Sequence, residues 1–476
     1  MPPNGSATTG PPVPTPMPPM PDPDFKRFGH GISLLGGWLP LSIEIATILV
    51  LVAAIGWRTR RWRTLWIPIC AALGVVVTLA ARAYMNSQGL ASDPAPMRLW
   101  VWTAVFAGSV AVAIVGFRGT RWWRRALSTS VIPLTLICAL LALNGWVGYY
   151  PTVQRAWGDL TSGPLPDETD AAALVGMRNT RPDTGKVIAI DIPSDASGFT
   201  HRREYVYLPP AWFGGATPPP LPVVMMIAGE FSNPTNWMRA GNAIEVIDSF
   251  AKAHGGAAPV FVFVDSGGSF NNDTECVNGP RGNAADHLTM DVRPYVISRF
   301  GASSNAANWG VVGWSMGGTC AIDLTVMHPD MFQTFDDIGG DRGPNSGTKE
   351  QTISRLYGGD ANAWATFDPR TVMAKHGPYA GVAGYFDDSQ EPADDKTKSL
   401  PNRPDQHLAP VGFGGHDDAD EFREKGAVPD LCSAAVAVGI GCSLRVYPGY
   451  HTWQFAATAF ANALPWLAQR VHVPGV

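Results

Sequence analysis

The chain has 476 residues, 46% of them hydrophobic, which is enough for a full hydrophobic core and for more than one domain. Its formal net charge of −5 is small, and no basic face or tail dominates, so nucleic acid is not an expected partner. Six cysteines in a chain of this length exclude a small disulfide-stabilised scaffold, and the sequence does not determine whether or how they pair.

The first predicted element is a disordered, proline-rich tail at residues 1–32. Ten of the first 24 residues are proline, and the stretch has almost nothing with which to build a core. It also lacks the basic-then-apolar pattern of a cleavable signal peptide.

Residues 33–150 contain four apolar runs, each close to the roughly 20 residues that a helix needs to cross a bilayer. The runs are almost free of charge and carry Trp or Tyr at their ends, which favours a transmembrane region with four helices over buried core helices. Glu44 is the one acidic residue well inside a run. It is either a functional intramembrane group or, as we favour, a shallow residue facing a neighbour. The runs cover residues 33–57, 65–85, 99–117 and 130–150.

The short loops between the runs predict the topology. The loops after the first and third runs are rich in arginine, and the loop between the second and third is poor in basic residues. Because basic loops stay in the cytoplasm, the tail and everything after residue 150 are predicted to lie on the extracytoplasmic side of the cytoplasmic (inner) membrane. The arginines are Arg58, Arg60, Arg61 and Arg63 in one loop and Arg118, Arg121, Arg124 and Arg125 in the other.

After a predicted linker at 151–183, β-type and helix-type runs alternate through residues 184–476. Near-continuous apolar strands separated by helices predict an α/β domain with a doubly wound, mainly parallel sheet. The long segment 342–378 between two predicted strands is expected to form a lid or cap. The predicted strands are 186–194, 203–212, 221–229, 259–267, 308–314, 380–388 and 443–449, and the predicted helices are 240–255, 288–301, 319–329, 431–439 and 453–471.

Residues 313–317 read Gly-Trp-Ser-Met-Gly and match the pattern G-x-S-x-G. In this pattern the serine lies on a tight, strained turn between a strand and a helix, and small residues on either side leave room for the backbone that closes in. A chain with 51 glycines can produce the pattern by chance. Here an apolar strand precedes it and a helix-type run follows, so Ser315 is the predicted nucleophile.

A serine nucleophile needs a base, and the base needs an orienting acid, in the chain order Ser, Asp or Glu, His. His451 lies between the last predicted strand and the last helix, where the base belongs. Asp387 and Asp388 end the preceding strand; we prefer Asp388, although adjacent carboxylates cannot be ranked from sequence. The alternatives are the histidines His328, His376, His407, His416 and His472 and the acids Asp417, Asp418, Asp420 and Glu421.

An oxyanion hole needs two backbone N–H groups aimed at the developing negative charge. One is predicted from Met316, which follows the nucleophile at the N-terminus of a helix. The other is predicted from the loop after strand 221–229, where Gly229 allows a tight turn and Glu230, or else Phe231, is the donor. The sequence has no zinc-ligand spacing, phosphate loop or dinucleotide fingerprint, so we expect no metal and no cofactor.

Residues 184–470 resemble the esterase D-like (putative esterase) branch of the α/β-hydrolases, which includes the actinobacterial mycolyltransferases. The resemblance implies a serine acyl-enzyme mechanism on esters, with Ser315 as nucleophile, His451 as base, Asp387 or Asp388 as acid, and Glu230 and Met316 as backbone donors. Many relatives have His where this chain has Ala228, and the loop "GEFSNPTNWMRAG" has no clear counterpart of the mycolyltransferases' sugar-binding Asp and Arg. The matching stretches are "YVYLPPAW", "IAGE", "GWSMGG", "HP" and "HTW".

The sequence therefore predicts a membrane-anchored serine esterase or acyltransferase that acts on lipid or cell-envelope esters outside the cytoplasmic membrane. Its expected partners are a lipid or ester substrate and the membrane lipids. Hydrolysis and transfer share one acyl-enzyme and differ in whether water or another alcohol accepts the acyl group. The alternative is a catalytically inactive hydrolase-fold scaffold or partner-binding membrane protein.

Overall fold

The structure is a computed structural model. Almost all of the predicted tail lies outside the residues that it describes, and so do the alternative histidines and acids between residues 391 and 426. The described ranges are 31–56, 58–89, 95–117, 121–161, 165–390, 427–448 and 451–476.

Four helices in the described residues are long and apolar enough to cross a membrane, in agreement with the four predicted runs. The fourth begins eight residues before its apolar run, because the arginine-rich stretch ahead of the run continues the helix. A short π-helical turn, Trp62–Trp66, leads directly into the second. The helices are α1 Trp38–Ile55, α2 Ile67–Gln88, α3 Met97–Gly116 and α4 Trp122–Val147.

Small residues and one partly exposed ion pair hold the helices together. A Cβ atom added at Gly74 of α2 would lie 2.3 Å from the Ala104 carbonyl oxygen of α3, so the two backbones pack closely at this glycine. Glu44 of α1 accepts hydrogen bonds from Arg98 Nε and Trp102 Nε1, both at 2.7 Å. Glu44 thus faces a neighbouring helix near the bundle end where α1 and α3 begin, which is the second of its two predicted settings.

The rest of the chain builds an eight-stranded sheet and a two-stranded ribbon. The strands are β1 Lys186–Ile190, β2 Glu204–Leu208, β3 Val223–Ile227, β4 Val260–Val264, β5 Asn278–Gly279, β6 Gly282–Asn283, β7 Trp309–Trp314, β8 Thr334–Ile338, β9 Ala383–Gln390 and β10 Gly441–Pro448. The main sheet has the order β1-β2-β4-β3-β7-β8-β9-β10, antiparallel at β1, β2 and β4 and parallel elsewhere. The predicted α/β class with a mainly parallel sheet is confirmed.

Helices cover both faces of the sheet, which explains why β3, β4 and β7 are apolar and buried along their whole length. The helices are α5 Val153–Thr161, α6 Asn236–Arg239, α7 Ala243–Ala253, α8 Ala284–Asp286, α9 Arg293–Phe300, α10 Met316–Met327, α11 Lys349–Tyr357, α12 Ala361–Phe367, α13 Pro369–His376, α14 Ala427–Ala437 and α15 Trp453–Arg470. One core lies between the sheet and α9, α10 and α14, and the other lies under α7 and α15.

Two stretches contain structure that the sequence pattern did not predict. Strand β8 was missed because its sequence, TFDDI, places two aspartates inside a buried strand. The predicted linker at 151–183 carries α5 and a 3-10 turn at Ala171–Met177.

Segment 342–378, the expected lid, forms α11, α12 and α13, and the last two pack on α10. The predicted domain boundaries remain predictions.

Two disulfides lie in the α/β domain, where the sequence left the pairing open. Cys276, in the loop after β4, is bonded to Cys320 of α10, and Cys432 of α14 is bonded to Cys442 of β10. Both cysteines of the membrane-type helices, Cys70 and Cys138, are free and buried. The first disulfide ties the helix that follows Ser315 to the neighbouring loop.

The two disulfides are expected to differ in their effect on stability. Replacing Cys276 and Cys320 with alanine should lower the free energy of unfolding by about 4 kcal/mol, because the bond closes a loop with a sequence separation of 44. The same change at Cys432 and Cys442 should cost about 3 kcal/mol, since their separation is 10. Denaturant unfolding of the two double variants in detergent measures the difference. A larger cost for the shorter loop would contradict the loop-closure argument.

Candidate active site

Ser315 lies on a strained turn between β7 and α10, with φ 59° and ψ −126°. Its N–H donates to the Ile338 carbonyl at 2.9 Å, and its own carbonyl accepts hydrogen bonds from Gly318 and Thr319 at 2.7 and 3.2 Å. These bonds fix the turn at the carboxyl edge of the parallel strands, where α/β proteins place their reactive groups. The structure therefore has the strand–turn–helix arrangement that a G-x-S-x-G nucleophile requires.

The flanking glycines are required by backbone contacts. A Cβ atom at Gly313 would lie 1.7 Å from the Gly317 carbonyl oxygen, and one at Gly317 would lie 2.4 Å from the Ile227 carbonyl oxygen. Backbone atoms cannot move aside as a side chain can, so any larger residue at these positions would distort the turn. Gly229 also approaches the turn, although less closely, since its Cβ would lie 3.1 Å from Cβ of Ser315.

The two predicted oxyanion residues lie together beside Ser315. Glu230 and Met316 line one small cavity with Gly229 and Phe231. Phe231 has a φ of 57°, which makes the loop after β3 a tight turn. The structure thus places both predicted backbone donors near the nucleophile, and their role in binding an oxyanion remains a prediction.

His451 is buried next to the nucleophile's strand. Its ring stacks on Trp314, with a centroid distance of 5.4 Å, and it lies 6.2 Å from the ring of Phe455 in α15. A Cβ atom at Gly339, just after β8, would lie 2.9 Å from Cε1 of His451. Because Trp314 directly precedes Ser315, these contacts hold the imidazole close to the turn between β7 and α10.

The alternative histidines that the structure describes all lie at helix ends. His328 caps the C-terminus of α10, about 18 Å of helix away from Ser315 at its N-terminus. His376 ends α13 and stacks on Tyr379. His472 follows the end of α15. Among the described histidines that the sequence offered as the base, only His451 stacks on Trp314, the residue before Ser315.

The two candidate acids lie on opposite faces of β9. Side chains alternate along a strand, so Asp387 shares a face with Tyr385, which packs on Trp466 of α15. Asp388 shares a face with Phe386, which belongs to the core on the α10 and α14 side. His451 contacts Phe455 on the α15 face. Asp387 is therefore on the same face of the sheet as His451. Gly339, which lies close to the His451 ring, also donates its N–H to the Asp387 carbonyl at 2.7 Å.

A second buried carboxyl, Asp336 of β8, lies beside Asp387. Burial and the charge of Asp387 raise the pKa of Asp336 well above its usual value. Burial also raises the pKa of Asp387 well above its usual value, although the Arg445 guanidinium and the Tyr447 hydroxyl of β10 oppose part of that shift. Because the two buried carboxyls lie side by side, ionising both at once is unfavourable, and they titrate as a pair.

Arg202 is a site residue that the sequence analysis missed. Its guanidinium donates to both carboxylate oxygens of Asp265, from Nη2 at 2.6 Å and from Nε at 3.0 Å, and to the Ser232 carbonyl of the loop after β3 at 2.8 Å. Burial opposes ionisation of Asp265, but these bonds outweigh it and hold its pKa below the usual value. Since residues 202 and 265 are far apart in sequence, no local pattern could reveal the pair.

Replacing Arg202 with glutamine is expected to destabilise the protein by about 3 kcal/mol, because it leaves the Asp265 carboxylate buried without its cation. The neighbouring Arg203 provides a matched control. It lies 3.9 Å from Asp191, with both side chains largely exposed, so Arg203→Gln should change stability by less than about 0.5 kcal/mol. Denaturant unfolding compares the two. Equal midpoints for both variants and wild type would show that the Arg202–Asp265 pair contributes nothing.

One group of described side chains has metal-ligating chemistry: His201, Glu204 and His287. Both ring nitrogens of His201 lie 2.8 Å from backbone carbonyl oxygens. Glu204 accepts the Asp265 N–H at 2.9 Å, and His287 lies between Glu204 and Asp291. Burial alone would lower the pKa of His287, but the two carboxylates outweigh it and raise that pKa. A metal would have to displace these bonds. The group is therefore best described as a buried hydrogen-bond network that is connected to the backbone of Asp265 through Glu204.

Comparison with known proteins gives one family and several relatives. Residues 200–337 match the family model described as Putative esterase. A protein of Corynebacterium glutamicum, itself described as uncharacterized, is 25% identical over 454 residues, covering 90% of this chain and 95% of that protein. Because the match spans nine-tenths of the chain, it includes membrane-type helices as well as the α/β domain.

Several solved structures are similar to about 60% of this chain. An S-formylglutathione hydrolase from Agrobacterium tumefaciens is 20% identical with a TM-score of 0.44, over 61% of this chain and 97% of that one. A fluorophosphonate-binding serine hydrolase from Staphylococcus aureus is 16% identical with a TM-score of 0.44, over 60% and 99%. MPT51 from Mycobacterium tuberculosis is 16% identical with a TM-score of 0.37, over 60% and 100%.

Proposed function

We propose that this chain, whose residues 200–337 match the Putative esterase family model, is a membrane-anchored serine esterase or acyltransferase that forms its acyl-enzyme on Ser315. The observation that carries the proposal is the strained turn at Ser315 with His451 buried against the preceding residue. Strain in a non-glycine residue persists only where the surrounding structure enforces it, and such residues concentrate at reactive sites.

The proposed reaction has two steps. His451 takes the proton from Ser315 Oγ as Oγ attacks the ester carbonyl, and the N–H groups of Met316 and Glu230 stabilise the oxyanion. The intermediate collapses, its C–O bond breaks, and His451 returns the proton to the departing alcohol. Water or a second alcohol then attacks the acyl-enzyme by the same route and releases Ser315. We propose Asp387 as the acid that orients His451, since it lies on the same face of the sheet.

We further propose that the α/β domain lies outside the cytoplasmic membrane and acts on lipid or cell-envelope esters. The domain contacts the ends of α2 and α4 that are opposite the two arginine-rich loops. Those loops favour the cytoplasm. Two disulfides in the domain also fit an oxidising compartment outside the membrane.

Labelling with a fluorophosphonate tests the proposed function. Membranes containing the full chain are treated with the probe, and the modified peptide is mapped. We expect the label on Ser315, and a membrane-impermeant probe should reach it in spheroplasts but not in inverted vesicles. Absence of label would favour the inactive scaffold, while labelling only in inverted vesicles would place the domain in the cytoplasm.

A further inference from the structure

The end of α4 contacts two elements of the proposed active site. The Tyr149 hydroxyl, just beyond α4, donates to the Phe231 carbonyl at 3.0 Å. Burial raises the pKa of Tyr149 to about 12, so the hydroxyl keeps its proton and remains a donor. Gln454 Nε2, three residues after His451, donates to the Gly148 carbonyl at 2.6 Å. The chain that leaves the membrane helix is thus bonded both to the predicted oxyanion loop and to the segment that carries the predicted base.

The end of α2 is bonded to segment 342–378 and to the loop after β4. The Asn86 carbonyl accepts a hydrogen bond from Arg355 of α11 at 3.0 Å, and the Gln88 carbonyl accepts one from Ser346 Oγ at 3.3 Å. Tyr84, one turn earlier and half-exposed, lies with its hydroxyl 3.5 Å from Asn271 Nδ2. Asn271 belongs to the loop after β4.

These two helices are longer than a membrane requires. The continuous helix Trp62–Gln88 has 27 residues and α4 has 26, so each spans about 40 Å at 1.5 Å per residue. A bilayer's hydrocarbon core is about 30 Å thick. In α4 the surplus turns lie at the arginine-rich start, because its apolar run continues to the end of the helix at Val147. The loops after β3 and β4, which bond to Tyr149 and Tyr84, therefore lie close to the membrane surface on the side of the α/β domain.

Two phenylalanines lie between these helix ends. Phe231, next to Glu230, and Phe270, next to Asn271, have ring centroids 5.4 Å apart. The side chain of Phe270 is 58% exposed. An aromatic ring exposed at headgroup depth is stable in a membrane interface, where its apolar face meets lipid. The pair forms an apolar connection from the end of α2 to the loop after β3. A Cβ atom at Gly229 of this loop would lie 3.1 Å from Cβ of Ser315.

We propose that the substrate is an ester lipid whose acyl chain stays in the bilayer and reaches Ser315 along Phe270 and Phe231, between the ends of α2 and α4. This route rests on the proposed function, and it specifies the substrate as a lipid that the protein takes from the leaflet beside it. Because moving an acyl chain into water is unfavourable for every methylene, a path that keeps the chain against lipid and aromatic rings favours long-chain esters.

Photo-crosslinking tests the route without catalysis. The full chain carrying Ser315→Ala is reconstituted in phosphatidylcholine vesicles that contain a phosphatidylcholine with a diazirine in one acyl chain. After irradiation, we expect crosslinked peptides from the loops that contain Phe231 and Phe270 in addition to the four helices. Crosslinks confined to the four helices would overturn the route, whatever the enzyme's activity.

Kinetics provide the second test. The rate on 4-methylumbelliferyl palmitate in vesicles is divided by the rate on soluble 4-methylumbelliferyl acetate. Phe270→Ser should lower this ratio by roughly tenfold, while Phe270→Trp should retain it because the aromatic ring is kept. Val175→Ser is the control, since Val175 is an exposed apolar residue in the predicted linker. Equal ratios for Phe270→Ser and wild type overturn the route. A wild-type protein that cleaves neither ester and takes no label at Ser315 overturns the proposed function instead.

Discussion

Replacing Ser315 with alanine is expected to lower kcat/KM for ester hydrolysis by at least about 1000-fold, because it removes the hydroxyl that forms the proposed acyl-enzyme. The rate on a soluble fluorogenic ester in detergent measures this. His451→Ala should cost a similar factor, and the double variant should cost little more, since the two residues act as one unit. Hydrolysis that survives Ser315→Ala would show that the reaction takes place elsewhere.

A stability measurement separates this loss of activity from unfolding. Ser315 pays for its φ of 59° with backbone strain, which a glycine would relieve. Ser315→Gly should therefore be inactive yet more stable than wild type by about 1–2 kcal/mol, whereas Ser315→Ala should have nearly wild-type stability. Denaturant unfolding of the three proteins gives the order. An unstable Ser315→Gly would mean that the turn is not strained.

Replacing Asp387 with asparagine should lower kcat by roughly 1000-fold or more, because a neutral amide can neither fix the imidazole tautomer nor stabilise the imidazolium. Asp388→Asn provides the matched control on the opposite face of the same strand, and we expect it to change kcat by less than about tenfold. Steady-state kinetics on the same ester compares them, with denaturant unfolding as the check on folding.

The outcome decides among three assignments. A larger loss for Asp388→Asn would restore the acid that the sequence alone favoured. Two small losses would move the acid to the segment between residues 391 and 426, which contains Asp417, Asp418, Asp420 and Glu421. In both cases the geometric argument from the faces of β9 would be wrong.

Local chemistry was enough to predict the membrane-type helices, the fold class and the turn at Ser315. Hydrophobicity over about 20 residues identifies a spanning helix without reference to any partner. The turn requires glycine at positions 313 and 317, because a Cβ atom would clash with the carbonyl of Gly317 in the first case and with the carbonyl of Ile227 in the second. The missed strand β8 shows the limit of this approach, since Asp336 and Asp337 interrupt its apolar pattern and only the neighbouring strands bury them.

What the sequence by itself determined, then, is everything that depends on near neighbours: four apolar helices, alternating strands and helices, and a serine on a glycine-flanked turn. The tertiary structure alone decided the pairing of Cys276 with Cys320, the ion pair of Arg202 with Asp265, the face of β9 that turns toward His451, and the bond from Tyr149 to the loop after β3. The physical reason is that hydrogen bonds, ion pairs and disulfides act over a few ångströms in space. Their partners here are tens of residues apart in sequence, so no local periodicity records them.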